Sequence, residues 1–104
     1  MSQISPDDDP HGVNLRLSAQ RALWGNVPRT LRAASVERQG TRICCRFIFD
    51  GTASEEDRET VSLVGGHIIG DYPPEFTLDE EFLELQGPGQ MTHLKYLVFL
   101  RFEQ

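Results

Sequence analysis

The chain has 104 residues, a mass of 11.8 kDa and a formal net charge of −6 at pH 7. This length predicts a single domain with one hydrophobic core. No apolar run approaches the roughly 20 residues of a membrane span, and the N-terminal residues carry neither the basic nor the apolar segment of a secretion signal. We therefore expect a cytoplasmic protein without membrane contact. The acidic balance also argues against nucleic acid as a direct ligand.

Residues 1–13 are predicted to form a flexible N-terminal tail, and residues 14–104 a single α+β domain. In the tail, Pro6 and Pro10 flank three consecutive aspartates, and no apolar periodicity is present. Such a segment is typical of a hydrated, mobile chain rather than of a metal site.

A helix is predicted from residue 14 or 15 to residue 24. Apolar residues recur there at helical spacing, namely Leu15, Ala19, Ala22 and Leu23. Gly25 is placed to end this helix, and Pro28 prevents its resumption. We expect Trp24, in the last turn, to close the end of the core, whereas an exposed Trp24 would indicate an interface.

The segment 31–50 is predicted to form a β-hairpin folded at Gln39-Gly40. Gly40 supplies the positive φ that a two-residue turn needs. This register places Val36 opposite Ile43 and makes one face of the hairpin largely apolar, as burial requires.

The cysteines, Cys44 and Cys45, are neighbours in the second strand of this hairpin. They point to opposite faces, which argues against a mutual disulfide. Both are interpreted as structural, because a reactive thiol at Cys44 would require a pKa lowered by the flanking Arg42 and Arg46.

A second helix is predicted to begin at Ser54, whose hydroxyl can cap the free amides together with Asp57 three residues later. The apolar face of this helix comprises Thr60, Val61, Val64, Ile68 and Tyr72. Gly65-Gly66 lies inside the helix at a cost of about 2 kcal/mol. A close approach of the helix to the sheet, or a kink, would offset that cost.

Two further strands are predicted, over about residues 80–86 and over 94–102, separated by a Gly-Pro-Gly break. The element order is therefore αββαββ. Layer packing then predicts a four-stranded antiparallel sheet with two helices on one face. In the last strand, we expect Tyr96, Val98, Leu100 and Phe102 on one face and Leu97 and Phe99 on the other. The second face of the sheet would expose apolar groups such as Ile48 and Phe99.

Acidic residues concentrate in residues 51–90, which hold ten acids against one base, Arg58. This imbalance is compatible with a basic protein partner that approaches by electrostatic steering. The predicted partner-binding residues are Asp71, Glu75, Asp79, Glu80, Glu81 and Glu84. Three other acids of this stretch, Glu55, Glu56 and Asp57, are explained by the helix N-terminus, where the helix dipole favours negative charge. A solvated face without a partner is the alternative interpretation.

Several short motifs recur in a characteristic order. They are Leu23-Trp24-Gly25, Leu31-Arg32-Ala33-Ala34-Ser35-Val36, Phe47-Ile48-Phe49-Asp50-Gly51, Ser54-Glu55-Glu56-Asp57, Asp71-Tyr72-Pro73 and Leu100-Arg101-Phe102-Glu103. Over about residues 20–103 the chain thus resembles a family of small, uncharacterised bacterial αββαββ proteins. Some similar small proteins are suspected immunity proteins against toxins such as colicin or contact-dependent-inhibition nucleases. The resemblance implies a protein-binding module, an acidic inhibitor of a basic toxin nuclease, and it carries no catalytic residue.

Two alternatives remain open. The first is a structural or regulatory domain that forms a homodimer through the second face of the sheet, around Arg46, Ile48, Leu97 and Phe99. The second is a small enzyme that uses Asp50, Asp71 and His93, which lie near predicted element ends. No two of the three histidines have the spacing of zinc ligands, so we expect neither a metal nor a cofactor.

Overall fold

A computed structural model describes residues 9–103 of the chain. The helices are α1 (Val13–Leu23) and α2 (Glu55–Gly70), and the strands are β1 (Leu31–Gln39), β2 (Arg42–Phe49), β3 (Thr77–Glu84) and β4 (Tyr96–Leu100). A short 3-10 turn, Pro10–Gly12, precedes α1. The order αββαββ is as predicted.

Most of the predicted tail, residues 1–8, lies outside the described residues, so its flexibility stays a prediction. Asp9 precedes the 3-10 turn that leads into α1. The carboxylate of Asp9 accepts hydrogen bonds from the backbone N–H groups of Asn14, at 2.7 Å, and Leu15, at 3.2 Å. A side chain from outside the helix thus satisfies two of the amides that the first helical turn leaves free.

The sheet is mixed, with strand order β3-β2-β1-β4. The predicted fully antiparallel sheet is therefore wrong: β1 pairs antiparallel with β2 and β4, but β3 runs parallel to β2. The reason is the length of α2, whose 16 residues span about 24 Å. This helix returns the chain to the start of β2, and β3 begins beside it, with Thr77 paired to Arg42. β3 and β4 consequently lie at opposite edges instead of forming a hairpin.

The β1–β2 hairpin forms as predicted, but its register differs by two residues. Gln39 pairs with Arg42, so the turn is Gly40-Thr41, and Val36 faces Cys45 rather than Ile43. Gly40 has the expected positive φ, +62°. Because side chains alternate with period two, a shift of two residues leaves every side chain on its predicted face.

One hydrophobic core lies between the two helices and one face of the sheet. It includes the predicted apolar residues of both helices: Leu15, Ala19, Ala22, Leu23, Val61, Val64, Ile68 and Tyr72. The sheet contributes Leu31, Ala34, Val36, Ile43, Cys45, Phe47, Phe49 and Val98. Ser54 caps α2 as predicted and accepts a hydrogen bond from the amide of Asp57 at 3.0 Å.

A register shift in β4 decides which of its side chains enter this core. β4 shifts against β1 between the pairs Ala34–Phe99 and Ser35–Leu97. Val98 is the extra residue, so Phe99 packs on the helix side together with Val98. The predicted exposure of Phe99 on the second face is therefore wrong, because strict alternation does not hold across the irregularity.

The second face of the sheet is covered by the connection between β3 and β4, residues 85–95. This crossing loop must pass over β2 and β1 to reach the far edge. Arg46 donates to the carbonyl oxygen of Thr92 at 3.1 Å, and the amide of Leu94 donates to the hydroxyl of Ser35 at 2.9 Å. Ala33, Ser35 and Ile48 on this face are at most 1% exposed. The predicted exposure of Ile48 is thus also wrong.

Arg32 holds the crossing loop and the C-terminal segment on this face. β1 shifts register against β2 at this residue, and its side chain is 3% exposed. The guanidinium donates to both carboxylate oxygens of Glu103, at 2.8 and 2.9 Å. It also donates to the carbonyl oxygens of Leu85, at 2.7 Å, and Gly89, at 3.1 Å. This buried cation therefore connects β1 to the first part of the crossing loop and to the C-terminal segment that follows β4.

Arg101 extends this contact to the end of β2. Its guanidinium donates to Asp50 and to Glu103, both at 3.0 Å. Asp50 also accepts the amide hydrogen of Gly87 at 3.0 Å, and this bond, together with Arg101, lowers the pKa of its carboxyl group. Hydrogen bonds from Arg32, and secondarily from Arg101, lower the pKa of Glu103.

The two interior glycines of α2 have different surroundings. A Cβ atom on Gly65 would lie 2.6 Å from Oε2 of Glu80 and 3.1 Å from Cδ2 of Leu78, both on β3. At Gly66 no atom lies within 4 Å of that position. The predicted close approach of helix to sheet therefore explains Gly65, and nothing in the structure explains Gly66.

We predict that Gly66→Ala stabilises the protein by about 0.5–1 kcal/mol, the helix-propensity difference, and that Gly65→Ala does not. At Gly65 the same gain is opposed by displacement of Glu80 and Leu78. Urea unfolding of both variants measures the difference. Adding Glu80→Ala to Gly65→Ala should recover part of the gain, and equal stabilisation by the two single variants would contradict this explanation.

We predict that Arg32→Ala lowers the free energy of unfolding by about 3 kcal/mol, because it leaves two partly buried carbonyl groups and the carboxylate of Glu103 without their donor. Arg32→Lys should recover little, since an ammonium group cannot reproduce the forked geometry. Arg58→Ala is the matched control. That side chain is 46% exposed in its pair with Glu84, and its loss should cost less than about 1 kcal/mol. Similar losses at both arginines would refute the role given to Arg32.

The pH dependence of the free energy of unfolding should show the contribution of the ionised Glu103 carboxylate. Its pKa is lowered in the folded state, so its contribution is present above its unfolded-state pKa and is lost as the pH falls through the folded-state pKa. Glu103→Gln should therefore flatten the acid limb of the curve of unfolding free energy against pH. An acid limb identical to that of the wild type would show that Glu103 does not contribute.

Candidate partner-binding surfaces

The predicted acidic residues do not form one continuous patch. Asp71 lies beyond the end of α2, where it accepts a hydrogen bond from Ser18 at 2.6 Å and faces Arg21 at 3.5 Å. Glu75 is exposed in the turn before β3. The remaining four lie on β3, where alternation divides them between the two faces. The six residues thus lie in several different environments.

Glu80 and Glu84 face α2. Glu84 accepts the amide hydrogen of Ala53 at 2.8 Å and pairs with Arg58 at 3.0 Å, and these two contacts, the amide first, lower its pKa. Glu80 accepts a hydrogen bond from Ser62 at 3.1 Å, while its Oε2 atom is buried without a partner. Burial raises the pKa of Glu80. Both carboxylates therefore serve the contact between α2 and β3.

Asp79 and Glu81 face the other side of the sheet and are more exposed. Their side chains are 62% and 48% exposed and pair with Arg42 at 3.3 Å and Arg46 at 2.6 Å, respectively. A hollow of about 440 Å³ opens between these residues and the crossing loop. Glu37 of β1 also lines it, so that carboxylates from β1 and β3, on either side of β2, surround one cavity. We call this cavity the acidic hollow.

The three residues of the enzyme alternative are not assembled into a site. Asp50 follows β2 and Asp71 follows α2, so the two carboxylates lie at opposite ends of a helix about 24 Å long. Each is already bonded, Asp50 to Arg101 and Asp71 to Ser18. His93 is exposed on the crossing loop. Within residues 9–103, no group of three or more His, Cys, Asp or Glu side chains is arranged to hold a metal ion.

The cysteines have the structural character that their strand positions indicate. Burial raises the pKa of the Cys45 thiol to about 12. At Cys44, burial again raises the thiol pKa, and the opposing effect of Arg42 is smaller. The lowered pKa that a reactive Cys44 would require is therefore absent.

The surface for the homodimer alternative differs from the predicted one. Ile48 is buried beneath the crossing loop and Phe99 packs on the helix side. Arg46 is hydrogen-bonded to that loop, and Leu97, 41% exposed, is the one apolar member left at the surface. The described part of the second face therefore offers no broad apolar patch around these residues.

Trp24 is a surface residue, contrary to the prediction that it closes the core. Its side chain is 88% exposed, and it lines a groove of about 620 Å³ between the end of α1 and β4. The other lining residues are Gln20, Arg21, Leu23, Gly25, Val27, Val98 and Phe99. We call this the Trp24 groove. The helical period of the sequence indicates this exposure, because Trp24 comes nine residues after the buried Leu15 and therefore lies about 180° around the helix from it.

No helix within residues 9–103 has both the length and the apolar character needed to cross a membrane. No curated protein matches the chain. The profile of a family described as MafI2 immunity protein matches residues 12–103, which cover both helices and all four strands. The chain therefore belongs to the MafI2 immunity protein family.

Proposed function

We propose that this protein is a non-enzymatic immunity protein that binds a toxin protein and blocks its activity, with the acidic hollow as the contact surface for a basic region of that toxin. Membership of an immunity protein family supports the general role. The particular observation that supports the site is the convergence of Glu37, Asp79 and Glu81 around one cavity. An inhibitor of this kind would act in the cytoplasm of the cell that it protects.

The hollow suits a lysine or arginine side chain of the partner. Two of its carboxylates are already paired with Arg42 and Arg46 through contacts that are partly exposed, and exposed pairs are weak and can exchange partners. An incoming cation would compete with these arginines for Asp79 and Glu81. The excess of ten acids over one base in residues 51–90 would raise the rate of encounter with a basic protein.

The other predicted acids would contribute in a different way. Glu80 and Glu84 are engaged with α2, and Asp71 with Ser18 and Arg21. Their charge adds to the field that steers the partner, while their side chains stabilise the fold. Glu75, which is exposed in the turn before β3, is the member of the set best placed to extend the contact beyond the hollow.

The general role is tested by capture and rescue. Proteins that bind the immobilised full chain are identified, and each is expressed in a heterologous host with and without this protein. We expect one captured protein to arrest growth, and growth to recover on co-expression. If no captured protein is toxic, or if the chain leaves toxicity unchanged, the immunity role is refuted.

The contact surface is tested with two variants of equal net charge. The first neutralises Glu75, Asp79 and Glu81, and the second neutralises Glu55, Glu56 and Glu59, which are exposed on α2. We expect both to slow association several-fold through loss of steering, and only the first to speed dissociation, because only it removes contacts. Surface plasmon resonance with the captured toxin at two salt concentrations separates the rates. Equal dissociation rates for the two variants would place the contact elsewhere.

A further inference from the structure

We propose that the Trp24 groove is a second docking surface, which binds a protein segment that presents an apolar side chain beside carboxylates. This inference does not rest on the toxin-binding role of the acidic hollow. The hollow adjoins β3 and the groove adjoins β4, and these are the opposite edges of the sheet.

The walls of the groove favour an apolar group. Trp24 and Val27 are 88% and 40% exposed, while Val98 and Phe99 form its floor against the core. The amide of Gln20, a polar group at the wall, already donates to the carbonyl oxygen of Val98 at 2.8 Å. Burial of an aliphatic or aromatic side chain there would remove apolar surface of both partners from water. Exposed tryptophans are enriched among residues that dominate binding energies.

The surface around the groove extends this character along α1. Val13 and Leu17 are each 51% exposed, and helical spacing places them on the same face as Trp24. Residues 13–30 combine tryptophan, aliphatic side chains and arginine, and this stretch contains neither lysine nor an acidic residue. Protein interfaces are enriched in aromatic residues and arginine and depleted in lysine and acids.

The charges around the groove select an acidic partner segment. Residues 13–30 contain three arginines, Arg16, Arg21 and Arg29, and no acidic residue. All three are exposed, and the one ion pair formed by Arg21, with Asp71, has a separation of 3.5 Å. Carboxylates on the incoming segment would complement these guanidinium groups, whereas a basic segment would be repelled.

A protein segment fits this surface better than an anionic membrane. The site is an open, largely apolar groove of about 620 Å³, a size that suits one or two side chains. The net charge of −6 opposes the approach of the whole chain to an anionic bilayer.

The test is a selection of peptides from a random displayed library on the immobilised full chain, followed by synthesis of the enriched consensus without tryptophan. We expect a consensus with a large apolar residue flanked by Asp or Glu. Trp24 is the single tryptophan of the chain, so titration of the peptide should shift its fluorescence to shorter wavelength in a saturable way. Addition of salt should weaken binding several-fold.

Variants locate the binding site. Trp24→Ala should weaken peptide binding at least about tenfold, and Arg16→Gln with Arg21→Gln should weaken it several-fold. Leu63→Ala is the matched control, because Leu63 is also apolar and 58% exposed but lies on α2. Circular dichroism would establish that each variant is folded, which the exposure of Trp24 leads us to expect.

Four outcomes would overturn the proposal. In the selection, the two are failure to enrich any peptide and enrichment of a consensus rich in Lys or Arg. In the fluorescence titration, the two are a shift with phosphatidylglycerol vesicles but not with peptide, and a shift that the protein shows alone as its concentration rises. The last would indicate a second copy of this chain in the groove. Each is independent of the rescue experiment, so the two proposals can fail separately.

Discussion

The buried guanidinium of Arg32 is the interaction on which the arrangement of this protein depends. A β-sheet with both helices on one face leaves the opposite face to be covered by something else. Here the covering is an irregular loop, whose backbone carbonyl groups need donors once they leave water. Arg32 supplies those donors to Leu85 and Gly89 and takes Glu103 as its counter-ion. The strand order makes the loop cross the sheet, and this cation holds it against the second face.

This arrangement also explains why the acidic residues of β3 do not act as one surface. The mixed sheet places β3 between α2 on one side and the crossing loop on the other. Alternation then assigns Glu80 and Glu84 to the helix, and Asp79 and Glu81 to the side of the acidic hollow. A run of carboxylates that looks uniform in the sequence is thus divided into one group that contacts α2 and another that lines the acidic hollow. Within the helix-facing pair, burial raises the pKa of Glu80, whereas hydrogen bonds from the amide of Ala53 and from Arg58 lower the pKa of Glu84.

The two edges of the sheet have opposite characters. The β3 edge is acidic, and the acidic hollow opens beside it. Near the β4 edge lie the arginines of α1 and the exposed Trp24. The two edges would therefore complement partner surfaces of opposite charge, a basic one beside β3 and an acidic one beside β4.

The sequence by itself determined the local elements: the two helices, the hairpin, the cap at Ser54 and the positive φ at Gly40. These depend on residues within a few positions of one another, through period, capping and turn chemistry. It also indicated the family, through short motifs whose members meet in space, such as Arg32, Asp50 and Glu103. The close approach at Gly65 was predicted because the cost of an interior glycine is itself local.

Only the tertiary structure decided the features that depend on distant pairing. The parallel placement of β3, the crossing loop and the burial of Ile48 follow from where a long helix returns the chain, which no local pattern encodes. The hairpin register was undetermined by two residues, because both registers put the same side chains on the same faces. The position of Phe99 was decided by an irregularity of β4, which strict alternation does not anticipate. Local rules specify which side of an element is apolar, but only packing determines what that side meets.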